Sequence, residues 1–170
     1  MIEKISRTYL EIKSVNNLNE VDKPIGNYSI NLVNPNDFQL NKFLYKQIGK
    51  KYFWKDRLEW SNKNWIDYVS NKKISTYVLK DNEDIVGYFE LIFHNIKEEA
   101  EIAYFGILED YFGKKLGGYL LSYAIKKAFD LNIKRVWLHT CSLDHKNALK
   151  NYLSRGMVVF KSEILQIKVA

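Results

Sequence analysis

Hydrophobic and polar positions change period several times along the chain, and each change marks an element. In "RTYLEIKSV" (7–15) and "NYSINLV" (27–33) apolar and polar residues alternate with the period of two that lays one face of a strand on a core. The two segments are read as partners in a hairpin. Residues 36–49 move to helical spacing, with Phe38, Leu40, Phe43, Leu44 and Ile48 in one stripe, Asn36 as the expected N-cap and Gly49 as the terminator. "DRLEWSNKNWIDYVSN" (56–71) keeps that spacing through Leu58, Trp65, Ile66 and Val69, as one helix or a broken pair with Ser61 as a second cap.

The middle of the chain returns to strands. Residues 74–95 read as two strands about a polar turn at Asp81–Asp84, and "AEIAYFGILED" (100–110) as a third. Helical spacing resumes over 114–131 through Leu116, Leu120, Leu121, Ile125, Ala128 and Phe129. "KRVWLHT" (134–140) is a further strand, "HKNALKNYLSRG" (145–156) a helix closed by Gly156, and "MVVFKSEILQIKV" (157–169) one or two final strands. Strands followed by strand–helix–strand–helix–strand imply a mixed α/β sheet with helices on its faces. The step from 100–108 through the helix to 134–140 is expected to be a right-handed parallel crossover.

Composition narrows the class. At 170 residues, 46% apolar and 15% aromatic, the chain is expected to form one domain around one core without a disulfide or metal staple. A formal charge of +6 invites a nucleic-acid reading, but arginine occurs only at 7, 57, 135 and 155, and the lysines are scattered rather than blocked. No nucleic-acid partner is expected. Cys141 is the sole cysteine, so an internal disulfide is excluded. The N-terminal "MIEKISRTYLEIK" mixes charged and apolar residues, unlike a secretory signal, and no apolar run nears the roughly 18–20 residues that cross a bilayer. A cytoplasmic protein, monomer or homodimer, is the expectation, with no membrane partner.

Candidate chemistry gathers in "EDYFGKKLGGYLL" (109–121), where an acidic turn, two lysines and three glycines run into a helix. The first N–H groups of a helix have no internal partner and sit at the positive end of its dipole, so a strand–turn–helix of this kind can hold an anion. Gly113, Gly117 and Gly118 carry no side chain to block the approach, and Lys114 and Lys115 add positive charge. The helix end alone contributes only about 0.3–1 kcal/mol, up to ~2 when partly buried, so several N–H bonds are needed to hold a diphosphate.

Together with "RVWLHTCSLDHKNALKNYLSRGMVVFKSE", the stretch "AEIAYFGILEDYFGKKLGGYLLSYAIKKA" resembles the GNAT superfamily of acyl-CoA-dependent N-acetyltransferases. That family's cofactor turn, Arg or Gln, two residues, Gly, one residue, Gly or Ala, falls here on Phe112, Lys115 and Gly117, and only Gly117 matches. Its late helix, Ala, three residues, Tyr, three residues, Gly and a large apolar residue, is matched by Ala148, Tyr152, Gly156 and Met157. His145 stands where an asparagine is common. "KKYFWKDRLEWSNKNW" and "TYVLKDNEDIVGYFEL" look like the acceptor side of a bacterial subgroup.

The resemblance implies a mixed, mostly antiparallel sheet with a central parallel strand–helix–strand crossover and helices on both faces. One acetyltransferase domain would cover 1–170: strands and acceptor-side helices in 1–73, then the sheet, acyl-CoA-binding core and C-terminal strand in 74–170. The sheet would splay between 100–108 and 134–140, with Gly106 as the site of a bulge. Acetyl-CoA is the implied cosubstrate. Its implied contacts are the main chain of Phe105, Ile107 and Leu108; the turn and helix start through Phe112, Gly113, Lys114, Lys115, Leu116, Gly117 and Gly118; and His145, Ala148 and Tyr152.

Acetyl transfer to a primary amine sets its own requirements. An amine of pKa near 10.4 is unprotonated at pH 7 in roughly one molecule in 2,500, a deficit of about 4.6 kcal/mol that a nearby carboxylate base offsets. The thioester carbonyl needs a donor where negative charge develops, and the departing sulfur needs a proton or a dipole. Some GNAT enzymes place a catalytic glutamate at the start of the strand that holds Glu101, so Glu101 is the first choice of base. Glu90, in the apolar run "GYFEL", is the alternative: either a base in a buried setting or a residue on a solvent face. By resemblance Tyr152 is the acid facing the sulfur.

Other readings compete at particular residues. His139, Cys141, Asp144 and His145 match no zinc spacing, and nothing else supports a Cys141 nucleophile. His145 is expected to cap its helix and meet the cofactor, and Cys141 to pack. Tyr52, Phe53, Trp54, Trp60 and Trp65, with Asp56 and Glu59, are read either as a cage for a cationic acceptor or as anchors of short helices. A non-catalytic acyl-CoA-binding module is the leading rival function.

Overall fold

The computed structural model describes residues 1–168. Seven strands, β1 (Ile2–Ile12), β2 (Tyr28–Leu32), β3 (Ile74–Asp81), β4 (Asp84–His94), β5 (Glu99–Ile107), β6 (Arg135–Cys141) and β7 (Val158–Lys168), form one sheet in the order β2-β3-β4-β5-β6-β1-β7. Val169, the last residue of the expected final strand, lies outside the described residues. Every neighbouring pair is antiparallel except β5 and β6. The α-helices are α1 (Phe38–Gly49), α2 (Asn62–Ser70), α3 (Leu116–Phe129) and α4 (Ala148–Ser154). Among the described residues no helix is long and apolar enough to cross a membrane.

Strand alternation distributes two cores. Leu79 and Phe89 point to one face and pack with Leu120, Leu121 and Ile125 of α3, while Val78 and Tyr88, one residue away in each strand, point to the other and meet Leu44 and Ile48 of α1. Helices thus cover both faces, as the mixed α/β reading requires. The α3 stripe is wholly buried from Leu116 to Ala128, which is why a helix with two glycines in its first turn holds its place.

One expectation fails outright. β1 and β2 are not a hairpin: β1 lies between β6 and β7, and β2 pairs with β3 at the opposite edge. The link between them is too long for a tight turn and runs across α3 and the end of α4. Asn19 N–H donates to the Arg155 carbonyl (2.9 Å), Val21 N–H donates to Ser122 Oγ (2.9 Å), and Glu20 pairs with Lys126.

Local signals also resolve differently. Asp37, not Asn36, caps α1, accepting from Gln39 and Leu40 N–H. Ser61 does cap α2, in a reciprocal box with Asn64, so residues 56–60 are turns rather than helix. Gly49 is the last residue of α1 but adopts no left-handed φ; a Cβ there would stand 2.5 Å from Trp54, so close packing explains the glycine. The same holds for Gly106, where a Cβ would meet Ile48 at 2.5 Å. The bulge in β5 lies earlier: Glu90 is opposite Tyr104 and Leu91 opposite Ile102, leaving Ala103 as the extra residue.

A buried polar cluster ties α1, α2 and their link to the sheet. Glu90 is wholly buried and receives Arg57 Nη1 (3.0 Å), Tyr68 Oη (2.6 Å) and Asn41 Nδ2 (2.8 Å); the last also donates to Thr76. The Arg57 guanidinium lies against the rings of Tyr68, Tyr104 and Trp60, with centroids at 4.1, 4.3 and 4.8 Å. Burial pulls the Arg57 pKa down, but the Glu90 carboxylate outweighs it and leaves the guanidinium more firmly protonated. Arg57→Ala would strand a buried carboxylate, and urea denaturation is expected to show a loss of about 3–5 kcal/mol. The double variant Arg57→Met/Glu90→Leu is expected to recover most of that loss.

Candidate functional site

Pairing between β5 and β6 lasts for only three residue pairs, the last being Glu101 opposite Trp137. Beyond it the strands part around a cleft of about 940 Å³. Leu108 N–H donates to the Val86 carbonyl of β4 at 2.8 Å, so by alternation Phe105 and Ile107 turn their N–H and C=O groups the other way, into the gap. The extra residue Ala103 sets that parity. The wall carries exposed strand amides, as a slot that accepts an extended chain would.

At one mouth the chain turns sharply into α3. Gly113 takes φ +79° and Lys115, the residue before α3, takes φ +61° with no side-chain cap. The N–H groups of residues 113–118 have no acceptor among the described residues. A Cβ on Gly113 would meet nothing within 4 Å, and one on Gly117 only Asn151 Nδ2 at 3.5 Å, so the cradle is open. Gly118 serves packing as well: a side chain there would run into the Arg155 guanidinium and stand 2.9 Å from Val21 Cγ2. The donor set and the open approach fit a diphosphate.

Tyr152 of α4 lies further along the cleft, 7% exposed, edge-on to Phe105 with ring centroids 6.3 Å apart. Burial, and secondarily Asp144, pushes its phenol above the usual tyrosine pKa. Asp144 accepts from Thr140 Oγ1 and from Cys141 N–H at 3.1 Å, which fixes the turn before α4. His145 does not cap α4, whose N-cap is Asn147 with no side-chain cap; its Nδ1 accepts from Asn147 N–H (3.0 Å) in the preceding turn, and its ring meets Phe112 edge-on at 4.9 Å. Burial first, then Asp144, raises the Cys141 thiol, the wrong direction for a nucleophile.

The cleft brings together Glu101, Tyr152, Phe105, Ile107, Phe112, Gly113, Lys115, Leu116, Gly117, Gly118, His145 and Ala148. It leaves out three expected residues. Lys114 lies with its ammonium 5.2 Å from the Tyr111 ring centroid. Leu108 spends its N–H on β4 and packs with the α1 core. Glu90 is outside the lining, its oxygens held by Arg57, Tyr68 and Asn41, so it is not placed as a base. The two readings of the aromatic residues divide: Trp60 and Trp65 surround the chain's own Arg57, while Tyr52, Phe53, Trp54 and Asp56 line the cleft.

Several lining residues escape a sequence reading. Arg7 enters because β1 lies beside β6, with Arg7 opposite Cys141, a long-range pairing that no local signal announces; His139 lies on β6, the strand that forms the wall. Asn151 was within reach, since it follows Ala148 by three positions on the face that carries Tyr152.

A family model described as Acetyltransferase (GNAT) family matches residues 39–157. No curated protein matches. Among solved structures, a GCN5-related N-acetyltransferase from Sphaerobacter thermophilus is 15% identical over 95% of this chain and 50% of its own, with a TM-score of 0.70. Spermidine N-acetyltransferase from Vibrio cholerae, in complex with CoA and spermine, is 19% identical over 78% of this chain and 81% of its own (TM-score 0.63). An aminoglycoside acetyltransferase from an uncultured soil metagenomic sample, in complex with trehalose, is 15% identical over 76% and 87% (TM-score 0.63). At such identities the likeness is one of fold. The chain spans 61%, 50% and 58% of the length of three of the structures it matches.

Lys115 holds a left-handed conformation that a Cβ makes unfavourable by about 1–2 kcal/mol, partly offset in glycine by the freer unfolded chain. Lys115→Gly is therefore expected to raise stability by about 0.5–1 kcal/mol in urea denaturation. An unchanged or lowered midpoint would contradict the strain.

Proposed function

The chain belongs to the acetyltransferase (GNAT) family, and from that premise we propose that it transfers an acetyl group from acetyl-CoA to a primary amine by direct attack within the β5–β6 cleft. One observation carries the reading. A single slot, beginning where β5 and β6 unpair, has unpartnered amides at the start of α3 on one side and Tyr152 and Glu101 along its walls.

Bound there, acetyl-CoA would supply an electrophilic acyl carbon and a thiol leaving group. The amides from Gly113 to Gly118 would hold the diphosphate, with Lys115 adding charge. The gap-facing groups of Phe105 and Ile107 would align the extended arm and supply an N–H donor for the negative charge that develops on the acyl oxygen. Glu101 takes the proton from the acceptor nitrogen. Tyr152 donates from Oη to the departing sulfur. Its raised pKa lies above that of a thiol, about 8.5, so the phenol acts first as a hydrogen-bond donor and a full proton transfer is uphill.

The acceptor is a primary amine met by Glu101 and Asp56. Solved relatives in complex with spermine and sisomicin make a polyamine and an aminoglycoside the first probes, beside a lysine peptide and a free amino acid. A second reading, acyl-CoA binding without catalysis, draws on Phe112 and Lys115 at positions where the family carries other residues.

Thiol release from acetyl-CoA, stimulated by an amine of that panel, tests the proposal; calorimetric binding without stimulated release would favour the second reading. Gly117→Asp is expected to weaken CoA binding at least tenfold, by placing a carboxylate among the amides, with the calorimetric Kd as the readout. Tyr152→Phe is expected to lower kcat by about 10²-fold and leave that Kd within about twofold. Because the phenol's pKa is raised, its proton stays on as pH climbs, so the Tyr152-dependent rate should not decline before about pH 10.

A further inference from the structure

Glu101 has a partner. Its Oε1 lies 3.0 Å from Nε2 of His94, on the neighbouring strand β4. The imidazole stacks on Trp137 of β6, with ring centroids 6.0 Å apart and planes at 22°. Glu101 lines the cleft with its side chain 16% exposed; His94 stands behind it, 38% exposed and outside the cleft lining. One face of the carboxylate meets the slot and the other meets a ring held by the sheet.

Other charges stand close to the pair: His139 of β6 feels both Glu101 and Arg7, and Glu99 feels His94. Glu99, opposite His94 on β5, accepts from Arg135 Nε at 2.7 Å, and Arg135 Nη1 donates to Glu11 of β1 at 2.7 Å. Lys97 in the β4–β5 turn lies near Glu99. On the β3 side the contact is made by main chain, Phe93 N–H donating to the Lys73 carbonyl. The Glu99–Arg135–Glu11 group is bonded within itself, and Glu101 is the carboxylate in hydrogen-bond contact with the imidazole.

Resting on the reading of Glu101 as base, we propose that His94 is its positioning residue: the imidazole holds Oε1 and so fixes the carboxylate with its other oxygen, Oε2, available to the cleft. With His94 neutral, Nε2–H donates one hydrogen bond, and Oε2 accepts the amine's proton as the N–C bond forms and the C–S bond breaks. That proton passes from Oε2 to water after product leaves, and His94 gains none over the cycle.

The contact can be tested without turnover, by the ¹⁵N spectrum of the His94 imidazole in the unaltered protein and in Glu101→Gln. Losing the hydrogen-bond partner is expected to move the Nε2 resonance; an unmoved resonance overturns the proposal. With spermine as the probe acceptor, His94→Gln keeps an N–H donor and should hold kcat within about threefold. His94→Phe keeps a ring on Trp137 without the donor and should lower kcat about tenfold with the KM for acetyl-CoA unchanged. A kcat for His94→Phe equal to that of His94→Gln overturns the proposal. Full activity in Glu101→Gln instead overturns the base reading itself, and the two failures are thereby told apart.

Discussion

The site exists because β5 and β6 stop pairing. Parallel strands normally keep their ladder, since a buried amide without a partner loses a hydrogen bond's worth of free energy. Here the ladder ends at Glu101 and Trp137, and beyond it a cleft lies between the strands. The bulge at Ala103 then turns the free groups of Phe105 and Ile107 toward the gap rather than toward β4. Unpaired amides facing a cleft invite an extended ligand to complete the ladder, and the same logic recurs at α3, where the first N–H groups face the cleft mouth. Both ends of the proposed coenzyme site are main-chain hydrogen-bonding groups left over by the fold.

The opposite wall rests on a different interaction. Glu90 and Arg57 neutralise each other deep under α1 and α2, and the rings of Tyr68, Tyr104 and Trp60 enclose the guanidinium. A buried pair of this kind adds little net stability over an apolar replacement, yet it fixes where the 50–60 segment lies, because moving Arg57 would strand the carboxylate. Tyr52, Trp54 and Asp56, within that segment, line the cleft. The rings around Arg57 already hold a cation of the chain's own, so in the proposed reaction the amine would meet Asp56 and Glu101 instead.

Sequence periodicity disclosed most elements because each amphipathic stripe is local: α3 and the β3–β4 hairpin appear within a residue or two of where the spacing puts them. What it missed depends on distant partners. Nothing in 7–15 says that β1 will sit beside β6, so Arg7 could not be placed in the cleft. Glu90 looked like a costly buried carboxylate because Arg57, Asn41 and Tyr68 come from other parts of the chain. Gly49 and Gly106 suggested a terminator and a bulge, whereas each makes room for one neighbouring side chain. Lys114 and Lys115 are adjacent and alike in sequence, and only the left-handed turn at Lys115 separates the one that lines the cleft from the one that lies over Tyr111. The matched late motif, Ala148, Tyr152 and Gly156, was legible because helix spacing alone puts Ala148 and Tyr152 on one face.

The central claim is that the amides opening α3 grip the diphosphate of coenzyme A. A ¹H–¹⁵N correlation spectrum recorded while CoA is added reads those groups directly. Saturable downfield shifts of the Gly113, Lys115 and Gly117 amide protons, following one binding curve, are the expected result. Resonances that stay in place at saturating CoA, or shifts confined to other parts of the sheet, would contradict it.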